Sequence, residues 1–163
     1  MDLSFDIQNS EGDQIMVALS CYDDETLGAM SCDPLSVDLE FFDVTLVRKG
    51  GIGFVGYKIL FSISDVLAKF MNENSNVVLC FYCDAYTDVL RSHTDLLPQE
   101  YRSQLFSRMF EWYVESHELY GFINHRVEMI PPDDPDDRQY AHFICRQEHE
   151  AVVEALGVML QHK

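Results

Sequence analysis

Residues 76–86 read NVVLCFYCDAY and mark the centre of the predicted fold. β-Branched and aromatic residues dominate this run, and polar segments border it on both sides. The pattern predicts a strand that is apolar on both faces and therefore lies inside a sheet. Residues three apart in a strand point to opposite faces, so Cys80 and Cys83 would not converge on one metal ion. We predict that both cysteines belong to the core.

Two chemical alternatives for the cysteine pair remain open. A zinc site would need Cys145 and His149, which have the spacing of a metal-ligand pair. A redox or nucleophilic site would use Cys83, near the exposed end of the strand, together with a distant histidine. The core interpretation is favoured, and neither a metal nor a cofactor is predicted.

The segments before this strand alternate apolar and polar residues. Residues 3–8 and 14–22 predict a hairpin that turns at the Glu-Gly-Asp of 11–13. Residues 36–47 predict a third strand, whose apolar phase changes between Phe41 and Phe42 and suggests a bulge or a strand that bends between partners. We also predict a strand at residues 57–63 and a short helix at residues 64–74, with Ser64 as the amino-terminal cap of the helix.

The glycine-rich residues 48–56, RKGGIGFVG, do not form a phosphate-binding loop in this interpretation. Such a loop places its glycines before a Lys-Ser or Lys-Thr pair that opens a helix, whereas Lys49 here precedes the glycines. A turn between strands is predicted instead.

After the central strand, a helix is predicted from Pro98 to Gly121, with an apolar stripe that we assign to the core. Two strands at 122–130 and 138–146 and a final helix at 148–163 follow. The stripe of the first helix contains Leu105, Phe106, Met109, Phe110, Tyr113 and Val114.

This order predicts one α+β domain over residues 1–163. The sheet is expected to be antiparallel or mixed, with about six to seven strands and about three helices packed mainly on one face. The turn PPDDPDD contains four aspartates, at 133, 134, 136 and 137, but lacks the acid spacing, central glycine and distal glutamate of a calcium-binding loop. We predict a solvated turn there.

Charge narrows the function classes. The chain has 28 acidic residues and 11 Lys and Arg, a formal net charge of −17, and no Lys or Arg before Arg48. Direct binding to nucleic acid or to an anionic membrane is therefore not expected, whereas binding to a basic protein partner is expected. The amino terminus lacks signal-peptide features, and five scattered cysteines indicate free thiols, so a cytoplasmic location is predicted.

One resemblance covers about residues 59–114. The run NVVLCFYCDAYTDVLR, followed by RSQLFSRMFEWY, resembles a family of small bacterial proteins of unknown function. In that family a strand ending in Cys-Asp precedes a helix of the form Arg-x-x-Leu-Phe-x-x-x-Phe. The resemblance implies a bacterial intracellular origin. It directs attention to Cys83, Asp84, Arg91 and Arg102 as a cluster at the carboxyl end of the strand.

Two function classes follow. The first is an interaction module, like an immunity protein, an antitoxin or a nucleic-acid mimic, in which Asp84, Arg91 and Arg102 would contribute to binding. The second is a small hydrolase or transferase that uses Cys83, Asp84 and Arg91 with a histidine such as His125 or His142. A structural interpretation of the cluster is that Asp84 caps a turn and pairs with an arginine to order the 84–98 loop. We favour the interaction module.

Overall fold

The computed structural model describes residues 2–10, 12–22, 39–51, 57–83 and 96–161. These residues form one mixed six-stranded sheet and three α-helices, which confirms the predicted α+β class. In chain order the elements are β1 (Asp2–Gln8), β2 (Gln14–Cys21), β3 (Glu40–Gly50), α1 (Tyr57–Glu73), β4 (Val77–Cys83), α2 (Pro98–His117), β5 (Phe122–Met129), β6 (Gln139–Arg146) and α3 (Glu150–Gln161). None of the described helices has the length and apolar character needed to cross a membrane.

Strand β4 lies inside the sheet, as predicted. The strand order is β1-β2-β3-β4-β6-β5, so β4 has a neighbouring strand on each side. It pairs in parallel with β3 and antiparallel with β6. All the other neighbouring strands are antiparallel. Six of its seven residues are buried, and Tyr82 is the exposed one. Covering both faces of this strand is what requires helices on both sides of the sheet.

The predicted bulge between Phe41 and Phe42 is wrong. Strand β3 pairs without interruption there, with Phe41 opposite Val78 and Phe42 opposite Leu79. The two rings are buried on opposite faces of the sheet, so the change of apolar phase reflects a strand covered on both sides. The irregularity of β3 lies near its other end, where the pairing with β2 shifts between Gln14 and Ile15.

The strand predicted at residues 57–63 is also wrong, since α1 begins at Tyr57. Ile59, Ile63, Leu67 and Phe70 are buried at helical spacing along it. Ser64 lies inside this helix, and its hydroxyl donates to the carbonyl oxygen of Leu60 at 3.0 Å instead of capping an end. A short apolar run fits either period, and here packing against the sheet selects the helix.

The helices divide between the two faces of the sheet, with two on one side. Helices α1 and α2 pack on the face that carries Phe42 and Leu79, and α3 packs on the face that carries Phe41 and Val78. Two separate cores result. The first also contains Ile7, Ile15, Val17, Leu19, Val44, Val77, Phe81 and Ile144, and the second contains Cys80, Val127, Ala141, Phe143, Cys145, Val153 and Leu156.

Helix α2 ends earlier than predicted, at His117 and not at Gly121. Glu118 follows in the left-handed conformation, with φ 54°. The Leu119 amide donates to the carbonyl oxygen of Val114 at 2.9 Å, which is the closing hydrogen bond of a Schellman motif. The hydrogen bond closes the helix without the glycine that usually occupies this position.

The acidic loop between β5 and β6 is a turn, as predicted. Asp133, Asp134 and Asp136 are exposed, and the Asp134 carboxylate accepts a hydrogen bond from the Asp136 amide at 3.0 Å. The amide of Gln99, in the first turn of α2, donates to the carbonyl oxygens of Asp136 and Arg138. The loop therefore anchors the amino end of α2.

Candidate functional site

The described residues line a cavity of about 780 Å³ between α1, α2 and the first face of the sheet. The apolar stripe of α2 forms one wall, and it is less buried than a core stripe: Leu105 is 38% exposed, and Phe106, Met109, Phe110 and Val114 are partly buried. The buried residues of α2 are Gln99, Ser103 and Tyr113. The remaining apolar walls come from Leu60, Ile63, Leu67 and Met71 of α1 and from Leu79, Phe81, Phe122 and Ile144 of the sheet.

The two ends of this cavity differ in polarity. The amino ends of α1 and α2 lie at the carboxyl ends of the parallel strands β3 and β4, where Arg48, Cys83 and Arg102 contribute to the lining. The opposite end is lined by Met71, Val114, Leu119, Phe122 and Ile144. Among the described lining residues only Asp43, Arg48 and Arg102 are charged.

Arg48 and Asp43 already have partners within the fold. An Arg48 guanidinium nitrogen lies 2.7 Å from a carboxylate oxygen of Asp13, and the pKa of Asp13 is lowered by hydrogen bonds from Asn9 and Arg48. Asp43 accepts hydrogen bonds from the hydroxyls of Thr45, at 3.1 Å, and Tyr22, at 3.4 Å. The Asp13 contact holds Arg48 at the polar end of the cavity. The Asp43 carboxylate points to the other face of the sheet, where Tyr22 packs against the second core, since its neighbours Phe42 and Val44 are buried in the first core.

The two central cysteines face opposite sides of the sheet, as predicted. Cys83 lines the cavity with Leu79 and Phe81, whereas Cys80 is buried in the second core. Cys145 is also in the second core, where burial and the charge of Glu150 raise its thiol pKa to about 12. In the part of the chain that the structure describes, no three His, Cys, Asp or Glu side chains converge as metal ligands.

Two of the predicted site residues contribute to the lining of the same cavity. Cys83 and Arg102 both line the cavity. Asp84 and Arg91 lie outside the described residues. His125 points to the other face of the sheet, where its Nε2 approaches Gly157 of α3.

His142 shares a sheet face with Cys83, but both of its ring nitrogens bind other partners. Its Nε2 lies 2.8 Å from the Ser103 hydroxyl, and its Nδ1 lies 3.0 Å from the Asn124 side-chain oxygen. The Nε of Arg126 donates to the same Ser103 oxygen at 2.7 Å. His142 therefore belongs to a polar network between α2, β5 and β6, which sequence reasoning did not find.

The His142 side chain in this network is a neutral imidazole. Burial, followed by the nearby charge of Arg126, lowers the pKa of His142 to about 4. With Asn124 accepting at Nδ1–H, the Nε2 lone pair accepts the Ser103 proton. This hydrogen-bond pattern matches a serine nucleophile with its base and orienting group. However, Ser103 and His142 are both 0% exposed, so in this arrangement the network joins the helix to the sheet.

A second surface feature lies on the outer side of α1 and α2. Trp112 is 50% exposed, and its ring meets that of Phe61 edge-on at a centroid distance of 4.8 Å. Glu111, Glu115 and Glu118 are exposed beside it along the end of α2. We call these five residues the Trp112 surface.

Comparison of the chain with protein-family models and with curated proteins gives no match.

Proposed function

We propose that this protein is a cytoplasmic interaction module that binds a basic protein partner through the Trp112 surface. The observation that carries the proposal is a half-exposed tryptophan next to carboxylates on the outside of two packed helices. Tryptophan is among the residues that contribute most to protein interfaces, and its ring face attracts Arg and Lys side chains. Among the described residues, Cys21, Cys80, Cys83 and Cys145 are thiols and not disulfides, which agrees with a reducing compartment.

The placement of the acids supports the same function. Glu111 and Glu115 are four residues apart on the helix, so their like charges repel each other. Glu115 and Glu118 lie at the carboxyl end of α2, where the helix dipole favours cations. These positions weaken the helix slightly, and a basic partner would remove the repulsion on binding. The net charge of −17 would also attract such a partner at long range.

The test is affinity capture from a lysate of the source cells, with identification of the retained protein and titration of the purified partner. Trp112→Ala is expected to weaken binding by about 30-fold or more, the loss typical of an interface hot spot. Glu111→Gln with Glu115→Gln should slow association and reduce its salt dependence.

Tyr120→Ala is the matched control, because Tyr120 is a 68% exposed aromatic residue outside this surface. Circular dichroism of each variant verifies that the fold is intact. If the Trp112 and Tyr120 variants bind the partner equally well, or if no basic protein is retained, the proposal is wrong.

A further inference from the structure

We propose that the outer edge of strand β1 binds an extended basic segment of a partner protein, which adds to the sheet as a further antiparallel strand. The Trp112 surface shares no residue with this edge, so the inference does not depend on the proposed function. In the part of the chain that the structure describes, β1 pairs with a strand on one side only. An unpaired edge presents a row of amides and carbonyls that an extended peptide can bind.

The hydrogen bonds of the neighbouring strands show which backbone groups of β1 point outward. The Tyr22 amide donates to the carbonyl oxygen of Phe41 at 2.8 Å, so the even-numbered residues of β2 bond to β3 and the odd-numbered ones bond to β1. In the register of β1 with β2, odd-numbered residues lie opposite odd-numbered residues. The amides and carbonyls at the even positions of β1 therefore point away from β2, and they belong to Ser4, Asp6 and Gln8.

The opposite edge of the sheet, at β5, is less available to another strand. The Phe122 amide donates to the carbonyl oxygen of Leu119 at 3.2 Å, and the Gln161 side chain donates to the carbonyl oxygen of Glu128 at 3.5 Å. No described residue forms a hydrogen bond to the outward backbone groups of β1. Strand β1 also lacks proline, lysine and a break in its pairing with β2, which are common devices that protect an edge.

The side chains of β1 select the chemistry of the added strand. Leu3 and Phe5 are partly buried and pack against the first core, so apolar residues at alternate positions of the added strand would extend that core. Asp2 and Asp6 are exposed on the other face, four residues apart, so two Lys or Arg residues with the same spacing would lie opposite them. Lys49 lies 4.0 Å from Asp6, but both side chains are at least half exposed, so the carboxylate remains accessible.

The same charges disfavour a second copy of this chain as the added strand. In an antiparallel pair of two β1 strands centred on Ser4, Asp2 of each copy lies opposite Asp6 of the other. A pair centred on Asp6 places the two Asp6 side chains opposite each other. Like charges at such positions destabilise strand pairing, whereas a basic strand is attracted there. A basic partner is therefore assigned to this edge.

The experiment is fluorescence-anisotropy titration of the full chain with a labelled synthetic peptide, acetyl-Lys-Ile-Thr-Val-Lys-Ile-Thr-amide. A peptide of the same composition with adjacent lysines controls for charge alone, and we expect it to bind about tenfold more weakly. Methylation of the Thr amide between the two lysines removes a hydrogen bond to β1 and should weaken binding by about tenfold. Methylation of the Val amide, which points away from β1, should have little effect. These comparisons use the wild-type chain and do not depend on variant folding.

Two variants and a control locate the peptide. Ser4→Pro removes an outward amide but no hydrogen bond to β2, so it should fold and weaken peptide binding by about tenfold. Asp6→Lys should weaken binding by about fivefold or more. Glu154→Lys makes an equal charge change at an exposed position of α3 and should bind the peptide like the wild type.

The absence of binding, equal affinity for the two lysine arrangements, equal effects of the two methylations, or equal behaviour of the Asp6 and Glu154 variants would each overturn the inference. Sedimentation of the wild type and Ser4→Pro tests the other occupant. A wild-type dimer that is lost in Ser4→Pro would make a second copy the added strand and would also overturn the inference. Partner capture through Trp112 does not involve the peptide, so the two proposals fail separately.

Discussion

The hydroxyl oxygen of Ser103 lies 2.8 Å from Nε2 of His142, and both residues are completely buried between α2 and β6. Arg126 donates to the same serine oxygen, and Asn124 accepts from the other ring nitrogen. Each polar group of the network therefore has a partner, which is the condition under which buried polar groups are tolerated. Because the partners come from three elements, the network sets where α2 lies on the sheet.

The stability of the protein should depend on the protonation of His142. Its pKa is about 4 in the folded state, below the value of about 6.5 expected in the unfolded chain. The unfolded state therefore binds more protons between these values, and stability decreases as the pH falls from about 6.5 to 4. This group alone should remove about 2 kcal/mol of unfolding free energy between pH 7 and pH 4.5.

The measurement is urea unfolding of the wild type and His142→Gln at both pH values. The other acidic groups titrate in both proteins, so the difference between their pH dependences isolates His142. The variant should lose less stability on acidification than the wild type. Identical pH dependence would show that His142 is not held neutral by burial.

Replacing Glu118 by glycine should stabilise the protein. Glu118 has φ 54°, a left-handed conformation that strains a residue with a Cβ atom and that glycine adopts freely. The variant also removes an acid from the carboxyl end of α2. We expect a gain of about 1 kcal/mol in the free energy of unfolding.

Glu118→Ala is the control for this prediction, because it removes the charge but keeps a Cβ atom. It should recover only the smaller, salt-sensitive part of the gain. If alanine and glycine stabilise equally, charge and not backbone conformation accounts for the effect.

Gly157 allows α3 to approach β5, so a larger residue there should be destabilising. A Cβ atom would lie 2.8 Å from Nε2 of His125 and 2.9 Å from Cγ2 of the buried Val127. Gly157→Leu should lower the free energy of unfolding by about 2 kcal/mol or more, since the helix must move away from the strand. Ala155→Leu, at an exposed position of the same helix, should have little effect. Similar unfolding curves for the two variants would contradict this packing.

Cys83→Ser tests whether the thiol that lines the cavity has a chemical role. The side chain is nearly isosteric, so we expect the variant to fold and to capture the partner like the wild type. A serine hydroxyl in an apolar wall should lower the free energy of unfolding by about 1–2 kcal/mol. Loss of a measured activity with unchanged stability would instead support the hydrolase or transferase alternative.

Much of the fold could be predicted from local patterns. The run around Cys80 contains apolar residues on both faces, and burial on both faces followed from that composition. The hairpin of β1 and β2 followed from alternation on either side of a turn. Residues 57–63 and the Phe41–Phe42 pair were assigned wrongly. Their apolar patterns fit more than one local structure, and packing against other elements, which is not a local property, decides between them.

The candidate sites were less predictable. The resemblance to a family of small bacterial proteins directed attention to Cys83 and Arg102, and both line the cavity. His142 was named as a candidate histidine, but its partners Ser103 and Asn124 gave no sequence signal. These residues are 18 to 39 positions apart and meet only through the register of β5 against β6 and the packing of α2 on the sheet. One residue of slip would turn His142 to the other face of the sheet.

Sequence alone determined the α+β class, the interior position of the Cys80 strand, the opposite directions of its two cysteines and the strongly negative charge. These properties depend on composition and on the period of single segments, which a chain carries before it folds. Tertiary structure alone decided that the apolar stripe of α2 lines a cavity and that a buried histidine joins three elements. Those features arise from the distance between packed elements and from strand register. Neither is defined until the chain has folded, so single segments of sequence do not determine them.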